Sequence, residues 1–68
     1  MRFLSKNLRN FRKARGLTQL QLAELLNVSV GVVSKWEIGL SSPDIDTIAL
    51  MAELFDVSID VLVGYELS

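Results

Sequence analysis

Among the places in this 68-residue chain where an apolar residue stands directly before a hydroxyl residue and a second apolar residue follows the hydroxyl at a distance of four, three open a run of apolar residues at helical spacing. The sites are Leu17-Thr18 with Leu22, Val28-Ser29 with Val33, and Val57-Ser58 with Leu62. A hydroxyl so placed accepts from a backbone N–H that the first helical turn leaves without a partner, and the apolar pair clamps the turn. Each site therefore reads as a helix start. At the first of them Gln21 stands where a capping box needs it.

The remaining punctuation fits five helices. The first should occupy roughly residues 5 to 15, with Leu4, Leu8 and Phe11 at helical spacing and Gly16 as a stop. The second should end near Leu26, with Asn27 able to take a left-handed cap. Only Asn27 and Val28 then separate it from the third, which Gly39 ends. After the loop Leu40-Ser41-Ser42-Pro43, Asp44 can cap a fourth helix with Ile45, Ile48, Met51, Ala52 and Phe55 facing inward, and Ser58 caps a short fifth. Apolar residues recur at three and four rather than at two, so the expected class is all-α, a compact five-helix bundle formed by one domain over residues 1–68.

The chain has no cysteine and no histidine, which removes disulfides, thiolate and imidazole metal sites and the usual nucleophile pairs. Asp44 and Asp46 have the spacing that opens a calcium loop, but the required Gly and closing Glu are missing, so both read as helix-start acids. The acids are spread along helix starts and outer faces with no convergent set; no enzyme activity, metal, cofactor or small-molecule substrate is expected. No run is long or apolar enough for a signal peptide or a membrane span, and the expected location is cytoplasmic, at the nucleoid.

The net charge of −1 conceals an asymmetry. Up to Trp36 the chain carries Arg2, Lys6, Arg9, Arg12, Lys13, Arg15 and Lys35 against Glu24 alone, a surplus of +6. Beyond Trp36 it has seven acids and no cation. One end can face a polyanion while the other repels it, although a solvated helix face would give the same charge run.

On a wheel at about 100° per residue, Ser29, Val32, Val33 and Trp36 of the third helix fall on one arc, and Val30, Gly31, Ser34, Lys35 and Ile38 on the other. The second arc is small and weakly polar with a single cation. It is either an ordinary solvated face or a contact face that lets the helix backbone approach its partner closely; Val30, Gly31 and Ile38 are poor choices for water.

The residues Leu8-Arg9-Asn10-Phe11-Arg12, Gly16-Leu17-Thr18-Gln19, Leu22-Ala23, Val28-Ser29, Val33-Ser34-Lys35-Trp36-Glu37, Gly39, Pro43 and Val57-Ser58-Ile59-Asp60-Val61-Leu62, in that order, resemble the Cro and phage-repressor type of helix-turn-helix domain, the XRE family. The resemblance covers nearly the whole chain. It implies a lambda-repressor-like bundle in which helices 2 and 3 form the helix-turn-helix, and a function in sequence-specific binding of double-stranded DNA as a transcriptional regulator, a repressor by expectation. It further implies base contacts from Ser29, Val30, Gly31, Ser34 and Lys35 in the major groove, over a recognition helix of about residues 29–38. Gln19 and Arg12 are the implied phosphate contacts, and in the loop before the proline phosphate contact is expected from the hydroxyls of Ser41 and Ser42 and from backbone N–H groups. Arg12 and Glu37 match a pair that orients the recognition helix, a role expected to outweigh any contact Arg12 makes. Trp36 and Ala23 match core positions.

Departures from the family pattern qualify this picture. Many relatives carry cations in the loop before the proline, where this chain has Leu40, Ser41 and Ser42. Val30 and Gly31 replace polar readers, so that either readout rests on thymine methyl contacts and DNA shape or the domain reads less sequence than its relatives, and Ile38 replaces a common polar residue with loss of a backbone hydrogen bond. Half of the residues are hydrophobic. Leu20, Leu25, Leu50, Leu54, Val61, Val63 and Tyr65 together are expected to serve association, most simply a homodimer spanning two half-sites. The alternative is the same fold used mainly to bind a protein partner, in the manner of an antitoxin or a coactivator.

Overall fold

The computed structural model describes residues 3–64. Five helices follow one another: α1 (Leu4–Ala14), α2 (Gln19–Leu26), α3 (Val30–Glu37), α4 (Ile45–Phe55) and α5 (Ile59–Val63). Four begin on the residues that the sequence marks. The Thr18 hydroxyl accepts from the Gln21 N–H while the Gln21 side chain accepts from the Thr18 N–H. Ser29, Asp44 and Ser58 accept from Val32, Thr47 and Val61 in the same way. The first helix differs, for Phe3 at its N-cap makes no side-chain cap bond.

Helix ends repeat a second unit. After α1, α2, α3 and α4 the chain turns through a left-handed residue, respectively Gly16, Asn27, Gly39 and Asp56, at φ between 56° and 78°. The apolar residue that follows, Leu17, Val28, Leu40 or Val57, then donates its N–H back to Arg12, Ala23, Lys35 or Ala52. This two-bond closure covers carbonyls that a helix end leaves bare. Three of these apolar residues stand immediately before the next N-cap, so one connector both closes a helix and opens the next.

Leu4, Leu8, Leu22, Ala23, Leu26, Val33, Trp36, Ile48, Met51, Ala52, Phe55 and Leu62 form one buried cluster fed by every helix. The Phe11 and Phe55 rings stack across it with centroids 6.0 Å apart. Two polar ties fix α1 to the carboxyl half. Arg15 donates to the Phe55 carbonyl at 2.6 Å, and Asn7 donates to two carbonyls of α5, those of Val61 and Leu62.

Two expectations need correction. Ile45 is not an inward residue of α4 but is 65% exposed, since it lies about 70° from the middle of the buried arc at roughly 100° per residue. Leu54 and Val63 pack against the cluster and are not part of a free apolar surface. Gly31 lies in the first turn of α3. Tyr65 lies outside the described residues.

Candidate nucleic-acid interface

The start of α2 and the outer face of α3 lie on either side of one side-chain junction. Its centre is Glu37, the last residue of α3. The Arg12 Nε donates to Glu37 Oε2 at 2.6 Å and Nη2 to Oε1 at 3.0 Å, a bidentate fork that fixes both carboxylate oxygens in one plane. The third bond of the guanidinium, from Nη1, goes to the Leu17 carbonyl at 2.7 Å, which ties the helix-opening connector to the same group. The Gln19 amide Nε2 donates to Glu37 Oε1 at 3.1 Å. Burial pushes the Glu37 carboxyl upward. Hydrogen bonds from Arg12 and Gln19, with the charges of Arg12 and Arg9, outweigh it and hold the group below the usual carboxylate range.

This junction has two effects. Arg12 is only 7% exposed and its donors are taken by Glu37 and the Leu17 carbonyl, so it stands among the architectural residues and is not free for the phosphate contact expected of it. Gln19 is half-buried and held by one amide hydrogen, which fixes the orientation of the other. Beside it the N–H groups of Gln19 and Leu20, at the first positions of α2, have no partner within the helix. Backbone donors and a helix dipole end therefore converge with an oriented amide.

On α3 the split seen in the sequence holds in space except at Ser29, expected on the inward arc but exposed, and at Ser34, expected outward but half-buried. Val33 and Trp36 are buried, Val32 half-buried, while Val30, Gly31, Lys35 and Ile38 are exposed and Ser34 is half-buried. Ser29 is exposed with its oxygen engaged as the cap, which leaves the hydroxyl proton available. A methyl group on Gly31 would meet nothing closer than the Ser29 Oγ at 4.0 Å, so its lack of a side chain is not required by packing inside the fold. Ser41 and Ser42 are exposed in the loop ahead of the buried Pro43. The bond between Gln19 and Glu37 was not legible in the sequence; a separation of 18 residues gives no periodic signal.

The helix-turn-helix family pattern matches residues 8–62. The chain belongs to this family. It is of the Cro and phage-repressor (XRE) type. It is 39% identical over 62 residues to the HTH-type transcriptional activator BcrR of Enterococcus faecalis, covering 91% of this chain and 30% of that protein. It is 38% identical over 61 residues to the HTH-type transcriptional regulator ImmR of Bacillus subtilis, covering 90% of this chain and 48% of that one. A crystal structure of a transcriptional regulator from Listeria innocua superimposes with a TM-score of 0.89 at 40% identity, over 96% of this chain and 61% of that one. The domain thus spans less than two thirds of the length of these relatives. No described helix is long and apolar enough to cross a membrane.

Proposed function

We propose that the domain binds double-stranded DNA sequence-specifically through α3 in the major groove and regulates transcription by occupying its operator, as a repressor. The observation that carries this reading is the junction at Glu37, which holds the phosphate-facing amide of Gln19 and the recognition helix in one rigid frame. An α-helix fits the width of the major groove, and small side chains at Val30, Gly31 and Ser34 permit close approach. Lys35, exposed and without a carboxylate partner among the described residues, donates to guanine O6 or N7; Ser34 and Ser29 donate to base edges; Val30 packs on thymine methyls. Gln19, Ser41 and Ser42 contact the sugar-phosphate backbone, and Arg12 orients the frame.

Two copies on half-sites about 34 Å apart double the phosphate contacts. The longest dimension of the domain is 35 Å, enough for neighbouring copies to meet along the duplex. Exposed Leu20, Leu25, Leu50 and Val61 are the apolar residues available to such a homodimer.

Selection from a random duplex pool at two salt concentrations, repeated with Lys35→Ala, tests the reading. A selected sequence whose preference relaxes in the variant is the expected result. Selection of no sequence, or identical affinity and preference with and without Lys35, overturns it. A protein-docking function is the second reading, favoured by Ile38 and Leu40, 70% and 71% exposed at the edge of the same face. Salt separates the two, since phosphate binding weakens steeply as salt rises and apolar contact does not.

A further inference from the structure

Helix α1 presents different edges to different neighbours. Asn7 turns toward α5, where it binds two carbonyls, and Arg12 turns toward α3, where it binds Glu37. Ser5 lies on the α3 side as well, for a Cβ built on Gly39 would sit 3.8 Å from its hydroxyl. At roughly 100° per residue, Ser5, Arg9 and Arg12 fall within an arc of about 60°. Arg9 is therefore one turn from each of two residues that touch the end of α3. Lys6 lies on the outer face of α1, opposite the arc that Leu4, Leu8 and Phe11 turn inward.

Arg9 is exposed and makes no hydrogen bond or ion pair among the described residues. Its charge nevertheless reaches the Glu37 carboxylate. Both oxygens of that carboxylate are already held by Arg12 and Gln19, so two guanidinium groups share one acid and a positive charge is left over at the outer one. That surplus lies on the edge of α1 that faces the end of α3, where Gln19 also meets Glu37.

We infer that Arg9 is a further phosphate anchor, carried by α1 and set beside the Gln19–Glu37 junction. The inference rests on the duplex reading above. A guanidinium there pairs with one phosphate through two parallel N–H donors. The contact carries no base preference and adds to affinity uniformly across sequences.

The test follows fluorescence anisotropy of a mixed-sequence duplex of about two helical turns across a salt series. The proteins compared are the unaltered domain, Arg9→Ala, Arg9→Lys and Lys6→Ala. Arg9→Ala should reduce the slope of log affinity against log salt by about 0.9, one phosphate's worth, at an unchanged thermal midpoint. Arg9→Lys should restore most of the slope, and Lys6→Ala should change it less. Equal slopes for the unaltered domain and Arg9→Ala, or an equal loss in Lys6→Ala, overturn the anchor while leaving duplex binding intact. Absence of salt-dependent binding by the unaltered domain instead overturns the duplex reading and the anchor with it.

Discussion

Replacing Glu37 by alanine removes the one acceptor on which Arg12 and Gln19 converge. The side chains of Arg12 and Glu37 are 9% and 3% exposed, so the variant buries a guanidinium that retains only the Leu17 carbonyl. Removing one partner of a buried pair costs about 3–5 kcal/mol, against a total stability of roughly 3–10 kcal/mol for a chain of this length. In a domain this small each kcal/mol moves the thermal midpoint by about 4–8 °C, so Glu37→Ala should lower it by at least about 12 °C. Replacing both partners, Arg12→Met with Glu37→Leu, leaves no charge unpaired and should recover most of the loss. Duplex affinity should stay low in that double variant, because Gln19 still lacks the acceptor that orients it. Thermal unfolding by circular dichroism decides the matter. A midpoint for Glu37→Ala within about 3 °C of the unaltered domain, or a double variant no more stable than the single one, refutes the reasoning.

Gly64 combines a φ of 76° with a position where an added Cβ would lie 2.6 Å from the Phe3 Cβ, so Gly64→Ala should lose more than about 1 kcal/mol in urea unfolding; an unchanged midpoint contradicts this. Gly31→Ala, whose methyl enters open space, should gain about 0.5 kcal/mol and at the same time shift the selected duplex sequence. Acid should unfold the domain through the carboxylates held low. Burial raises the Glu37 carboxyl, but Arg12 and Gln19 bring it below its ordinary value; the Thr47 hydroxyl and backbone N–H lower Asp44. Such groups stabilise the fold above their ordinary carboxylate values, and that contribution disappears as the pH falls through the lower folded ones. Urea midpoints should therefore be level from about pH 7 to 5 and fall below about pH 4, less steeply in Glu37→Gln.

What could be read in advance was what a few neighbouring residues determine. The caps at Thr18, Ser29, Asp44 and Ser58 and the left-handed Asn27 each depend on atoms within about five positions, so the sequence displays them directly. Asp56 takes the same left-handed turn as Asn27, yet an aspartate after an apolar run is equally at home in other turns and gave no such signal. Ile45 looked inward because its spacing to Ile48 is helical; exposure at the first helical position depends on which neighbours extend that far. The partnership of Arg12 with Glu37 came only through likeness to a family. The convergence of Gln19 on the same carboxylate, and the nearness of Arg9, depend on how three helices cross and had no local trace at all.

Helix α3 is delimited at both ends by its own atoms, the Ser29 oxygen at the start and the Gly39 and Leu40 amides at the finish. Its boundaries and seating depend on Ser29, Val33, Trp36, Glu37 and Gly39, a set that overlaps the outward residues only at Ser29. Val30, Gly31, Ser34 and Lys35 can accordingly be exchanged without disturbing how the chain folds. On the proposed reading a new target needs changes at only four positions, while the remainder of the architecture stays as it is.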